Sequence, residues 1–288
     1  MPTIAEAVGR PALEMIDMPL LLTAEAMKAI FPNALPGVID AFISADGQRR
    51  LAGAGITENP VRLATALAHV CHETSGYSIR NLTENTNYTA ERMAAVWPKR
   101  FASASAVRAK YGTGHGWQNR AFDDIYGNRM GNRPGTSDGS AFIGRGGPQV
   151  TGRDGYREVG KRCGLPLEAH PELACRPEHQ PAILAAFWSW KGLNPLADED
   201  NVETTVRPWN GGTNGLADRR ARYARILRIV SRLPSVPDLP DAPVTHPKPL
   251  DPVAVPPAPA PLEPADGASL IEAIVKIISA VIGAFKRK

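Results

Sequence analysis

Two glutamates stand where acid and base chemistry could be done. Glu73 falls at the end of an apolar helical run, in His72-Glu73-Thr74-Ser75-Gly76, where the periodicity gives way to a loop. Glu84 follows in the polar stretch Leu82-Thr83-Glu84-Asn85-Thr86-Asn87-Tyr88. One carboxyl is therefore expected to be partly backed by core, and the other to sit in a polar, asparagine-rich loop. Unequal surroundings push two carboxyl pKa values apart. Glycosidic cleavage needs that inequality, with one acid protonated and the other ionised. The spacing alone leaves the ordinary alternative open, because a glutamate at a helix end is commonly a solvated surface group.

Other chemistries find less support. His72-Glu73 begins a zinc-protease pattern, but Gly76 stands where the second histidine would be needed. His115, His170, His179 and His246 are scattered without ligand spacing, so neither a metal nor an organic cofactor is expected. Trp188 and Trp190 lie in the apolar run PAILAAFWSWKG and read as packing residues. Cys71, Cys163 and Cys175 include no C-x-x-C pair and read as unpaired thiols in a reducing compartment.

The two glutamates belong to a longer series of motifs. HETSGY is followed by ENTNYTAERM with WPKRF, then YGNRMGN, GRGGPQVTGRDGYREVG and NGGTNGLADRRARY. In this order and spacing, over about residues 22–232, the chain resembles glycoside hydrolase family 19, in its bacterial and phage lysozyme-like branch, which is related to chitinases. The resemblance implies a lysozyme-like fold and single-displacement inversion without a cofactor. It places Glu73 as general acid and Glu84 as general base, with Thr151 as the hydroxyl that helps hold the attacking water. Gln149, Asn210, Arg219 and Tyr88 match substrate-contacting positions, and Arg145 and Tyr156 match cleft or support positions. The carboxyls of an inverting pair stand roughly 6.5–9.5 Å apart, leaving room for the water. The chain departs from the family pattern at Gly147-Pro148-Gln149, where a bulky aliphatic residue usually precedes, and at Gly155-Tyr156, where asparagine often does. It departs again at Pro208-Trp209, and Trp209 there reads as a packing residue.

Helices and loops must position these groups. Asn59-Pro60 opens a helix, with apolar residues at helical spacing through Cys71 and an expected stop at Gly76. Thr89 is expected to cap a short helix through Val96, closed by Pro98. Further helices are predicted near 22–33, 116–126, 154–163, 178–191 and 215–232. Residues 128–153 have no helical period and read as a small sheet or ordered loops. The fold class is thus α+β and predominantly α-helical, with the catalytic domain over 1–234.

Composition changes sharply after that domain. Twelve of the 31 residues from Pro234 to Pro264 are proline. Proline fixes φ and removes a donor, so 235–266 is expected to be an extended linker. Residues 267–288 place Glu272, Lys276, Ser279 and Gly283 on one stripe of an otherwise apolar helix ending in Lys286-Arg287-Lys288. Its apolar run is short for a span, which takes about 20 residues. The reading is a basic amphipathic helix that engages a membrane surface, with packing on the body, self-association and a true span as alternatives.

The overall charge of +4 divides into about +5 for the body, −4 for the linker and +3 for the tail. That balance excludes a dedicated nucleic-acid binder and suits an anionic polymer. The N-terminus shows no basic region followed by an apolar one, so no secretory signal is expected. The functional expectation is a muramidase-type endolysin held in the host cytoplasm until release to the periplasmic wall. It would cut peptidoglycan glycan strands, with the tail at the membrane. A chitinase and a non-catalytic wall-binding phage component are the alternatives.

Overall fold

The structure is a computed structural model that describes residues 18–79, 82–213 and 215–236. The expectations for the N-terminal signal region, most of the linker and the 267–288 helix lie outside the described residues. Thirteen α-helices carry the described fold: α1 (Ala24–Ile30), α2 (Val38–Ile43), α3 (Ala45–Gly53), α4 (Pro60–Glu73), α5 (Ala90–Val96), α6 (Ala104–Tyr111), α7 (Trp117–Tyr126), α8 (Asp138–Ala141), α9 (Arg153–Cys163), α10 (Gln180–Lys191), α11 (Asn194–Ala197), α12 (Val202–Asn210) and α13 (Leu216–Val230). Among them no helix is long and apolar enough to cross a membrane.

The predominantly helical expectation holds. The predicted sheet-or-loop region takes the loop form, with isolated bridges in place of a sheet: Thr83 pairs with Arg145, and Arg145 with Val150. Backbone bonds from Gly146 N to Leu82 O (2.8 Å), Glu84 N to Gly144 O (2.8 Å) and Val150 N to Arg145 O (2.9 Å) stitch three loop segments together. A third bridge, Leu20 with Ser235, ties the start of the described chain to its end.

Capping explains the two helices nearest the chemistry. The side chain of Asn59 accepts from Arg62 N at 2.9 Å, and Pro60 occupies the first turn of α4. α4 ends at Glu73, three residues before the predicted stop. There Thr74 turns inward, donating its hydroxyl to Val70 O (2.7 Å) and accepting from Tyr77 N (2.7 Å). Ser75, Gly76 and Tyr77 then all take positive φ, reversing the chain at once. Thr89 caps α5 as expected, accepting from Arg92 N at 3.1 Å.

Two cores result. The larger gathers α1–α4, α9, α10 and α13 around Phe31, Phe42, Leu67, Tyr77, Tyr156, Trp188 and Ile226. The smaller gathers α5–α7 around Tyr88, Met93, Phe101, Val107, Phe122 and Ile125. Leu82 belongs to the first and Tyr88 to the second, so the segment bearing Glu84 is one crossing of the chain between them.

Candidate active site

Glu73 ends α4 against α13, which packs along it. The side chain of Glu73 is 19% exposed, and its Oε1 accepts from Nη2 of Arg219, whose side chain is 1% exposed. A guanidinium that deeply buried needs its partner, because removing one member leaves an uncompensated charge. Arg219 Nη1 also meets His69 Nδ1 at 2.6 Å. Beside this pair, His72 Nδ1 meets Asp218 Oδ2 at 2.6 Å, and Arg222 Nε donates to the same oxygen at 2.6 Å. Burial would raise Asp218, but these two partners pull its pKa down to about 2. Asp218, Arg219 and Arg222 lie within little more than one turn of α13, so helical spacing delivers all three to α4.

Glu84 sits in the stitched loops. Its Oε2 accepts from Gly144 N at 3.1 Å. A methyl group on Gly144 would lie 2.7 Å from Gln149 Oε1, 3.4 Å from Glu84 Oε2 and 3.4 Å from Thr151 Oγ1. The bare Cα of Gly144 is thus the point around which these three side chains converge. Thr151 donates to Gln149 O at 2.8 Å, so its hydroxyl oxygen can still accept a hydrogen bond. Gln149 holds φ +57, a left-handed conformation uncommon for a residue with a side chain, and its Nε2 donates to Gly146 O at 3.0 Å. Arg145 donates to Ala141 O (2.7 Å) and to the Tyr156 hydroxyl (2.9 Å), which itself donates to Ile143 O (2.6 Å). Tyr156 is fully buried and so acts as support for the loop.

Glu84 lies in the polar, asparagine-rich segment the sequence indicated, half-buried, with Gly144 of the facing loop bonded to it. Burial pushes its pKa above the ordinary carboxyl value, against the Gly144 N–H and the Arg145 charge, which pull it down. The charge of Glu84 in turn adds to the burial that raises Tyr88 and Tyr126, the latter to about 12.

The predicted site residues therefore fall into two groups. Glu73 and Arg219 form one; Glu84, Gln149, Thr151, Arg145 and Tyr156 form the other, with Tyr88 beside it. Asn210 ends α12, exposed, and its side-chain oxygen accepts from Gly212 N at 3.0 Å. Trp209 is buried, stacked on His69 (4.5 Å, 22°) and tilted against Phe187, as its packing role required. Gly147 also finds its reason: any side chain there would collide with the Tyr77 hydroxyl. His69, Gly144 and Tyr126 were not singled out from sequence. A histidine one turn before Glu73 on an apolar helix was the available signal for the first of them.

Over 207 residues the chain is 32% identical to a glycosyl hydrolase family 19 domain-containing protein of Haemophilus influenzae, an alignment covering 72% of this chain and 96% of that protein. The chain belongs to glycoside hydrolase family 19. It is thereby a glycosidase whose family acts on glycan polymers. No family model matches it. Among solved structures, it is similar to chitinase C from Streptomyces griseus HUT6037, with a TM-score of 0.47 at 18% identity over 74% of this chain and 94% of that one. A bacterial family 19 chitinase gives a TM-score of 0.44 at 17% identity over 73% and 95%.

Proposed function

We propose that this family 19 enzyme is a peptidoglycan hydrolase of the muramidase type. It cuts the β-1,4 bond between N-acetylmuramic acid and N-acetylglucosamine with inversion. The observation that carries the reading is the unequal carboxyl pair, Glu73 held by a buried guanidinium and the half-buried Glu84 by a backbone N–H. With Oε1 of Glu73 occupied by Arg219, the proton for the leaving glycosidic oxygen resides on Oε2. Glu84, its Oε2 fixed by Gly144, takes a proton from water through Oε1, and the Thr151 hydroxyl oxygen accepts from and orients that water. The bond from water oxygen to C1 forms as the glycosidic bond breaks. Glu84 ends protonated and Glu73 ionised, and exchange with solvent restores both. Burial favours the neutral form that Glu84 becomes, and Arg219 favours the anion that Glu73 becomes. Gln149, Asn210 and Tyr88 are assigned to sugar contacts.

Charge supports peptidoglycan over chitin. The body carries about +5, and wall glycan with its peptide carboxylates is anionic whereas chitin is neutral. The basic segment 267–288 on its proline-rich spacer fits an accessory that engages anionic membrane beside the wall. Digesting purified Gram-negative peptidoglycan and reducing the products with borohydride before mass spectrometry tests the reading. Reduced N-acetylmuramic acid ends are expected. Activity confined to chitin oligomers would assign the enzyme to chitin instead, and activity on neither would remove the catalytic reading.

A further inference from the structure

His69 sits one turn before Glu73 on α4, wholly buried, and the chemistry above makes no use of it. Its hydrogen bonds have only one consistent direction. Arginine can only donate, so the 2.6 Å contact with Arg219 Nη1 makes His69 Nδ1 an acceptor. The proton of a neutral imidazole is then on Nε2, which donates to Thr205 Oγ1 at 2.7 Å. Thr205 spends its own proton on Val202 O at 2.8 Å. Trp209 closes the ring face by stacking on it. Burial, the adjacent Arg219 charge and His72 hold the imidazole far below its ordinary pKa, in keeping with the neutral form.

We infer that His69 is a positioning residue for Glu73, a neutral acceptor that locks Arg219 so that its second nitrogen meets Glu73 Oε1. The inference rests on Glu73 being the acid. A neutral acceptor such as His69 orients the guanidinium without itself neutralising it, so His69 takes none of the charge that meets the carboxylate formed as Glu73 gives up its proton. A carboxylate at the same point would orient Arg219 but would share its charge. An apolar side chain would leave Nη1 without this acceptor in a dry site. α12 is part of the device, because Thr205 fixes which nitrogen of His69 carries the proton.

Three variants and one spectrum test this. His69→Leu is expected to lower kcat on purified wall on the order of 10–100-fold, the loss typical when a group orienting a functional side chain is removed, with KM nearly unchanged. His69→Gln is expected to restore most of kcat, since its amide oxygen accepts from Arg219 and its amide nitrogen donates to Thr205. Thr205→Val, which leaves His69 in place, is expected to lower kcat less than His69→Leu and serves if that variant fails to fold. In the unsubstituted protein labelled with ¹⁵N-histidine at pH 7, the resonances that vanish in His69→Gln are expected to show a bare Nδ1 and a protonated Nε2. A proton on Nδ1 overturns the inference whatever the activity. So does a His69→Gln enzyme no better than a folded His69→Leu one. If Glu73→Gln were fully active, the acid assignment would fall, whereas the spectrum would still report the hydrogen-bond chain.

Discussion

Partial burial raises the pKa of the Glu84 carboxyl, and this sets the sign of two measurements. In the proposed mechanism Glu84 is the base and must be ionised, so activity is expected to fall as pH drops through its pKa. Because burial raises that pKa, the acid limb of the kcat/KM profile is expected above the ordinary value of 4.5. Arg145 opposes the shift, so Arg145→Met is expected to move the limb further up; a downward move would contradict the electrostatics. The same shift acts on folding. Where the folded pKa exceeds the unfolded one, the folded state holds more protons between the two values. Stability is therefore lost as pH rises through that window and stays lower above it. Glu84→Gln is accordingly expected to raise Tm at pH 7, with the gain shrinking toward pH 4, while kcat falls on the order of 10²–10⁴-fold. Glu73→Gln is expected to lower kcat by a similar order while keeping an acceptor for Arg219. Thermal melts and wall-digestion rates read both.

Gly147 shows how elements constrain the site. Its Cα lies against the Tyr77 ring, in the turn that follows α4, so this contact couples the Glu73 end of α4 to the loop that carries Gln149. Gly147→Ala is expected to cost about 1–3 kcal/mol through overpacking, with Tm lower by roughly 2–4 °C per kcal/mol. The buried Tyr77 hydroxyl has no hydrogen-bond partner among the described residues, so Tyr77→Phe is expected to be close to neutral and to relieve part of the Gly147→Ala loss. An additive double variant would show that the two side chains do not meet. Helices with strong local signals, such as α4 with Asn59-Pro60, α5 with Thr89 and α10 with its apolar run, were legible in sequence. α2, α3, α6 and α12 were not. Gly47 and Gly53 weaken the pattern of α3, Pro208 interrupts α12, and packing against neighbours overrides those weak propensities. The site divided in the same way. Both glutamates lay in short motifs, whereas the burial of Glu84 depends on Gly144 and Arg145, sixty residues away. The partner of Arg219 on α4 likewise comes from α13 packing, which local spacing does not report.

At the scale of the whole molecule, a folded body with two cores is followed in sequence by 31 residues of which twelve are proline, and then by a basic, apolar-rich segment. Under the proposed function the body cuts the wall and residues 267–288 engage membrane. Deleting 267–288 is therefore expected to abolish lysis of intact cells from outside and to leave hydrolysis of purified wall unchanged. External lysis that survives the deletion would remove the tail from the account. The most direct test of the account as a whole is the stereochemistry of the first product. Proton NMR of uncrosslinked glycan strands, recorded in the first minutes of digestion before mutarotation, reads the anomer released at the new reducing end. Inversion by Glu73 and Glu84 is expected to give the α-anomer first. The β-anomer first would mean retention through a covalent intermediate, and would contradict the roles assigned to both glutamates.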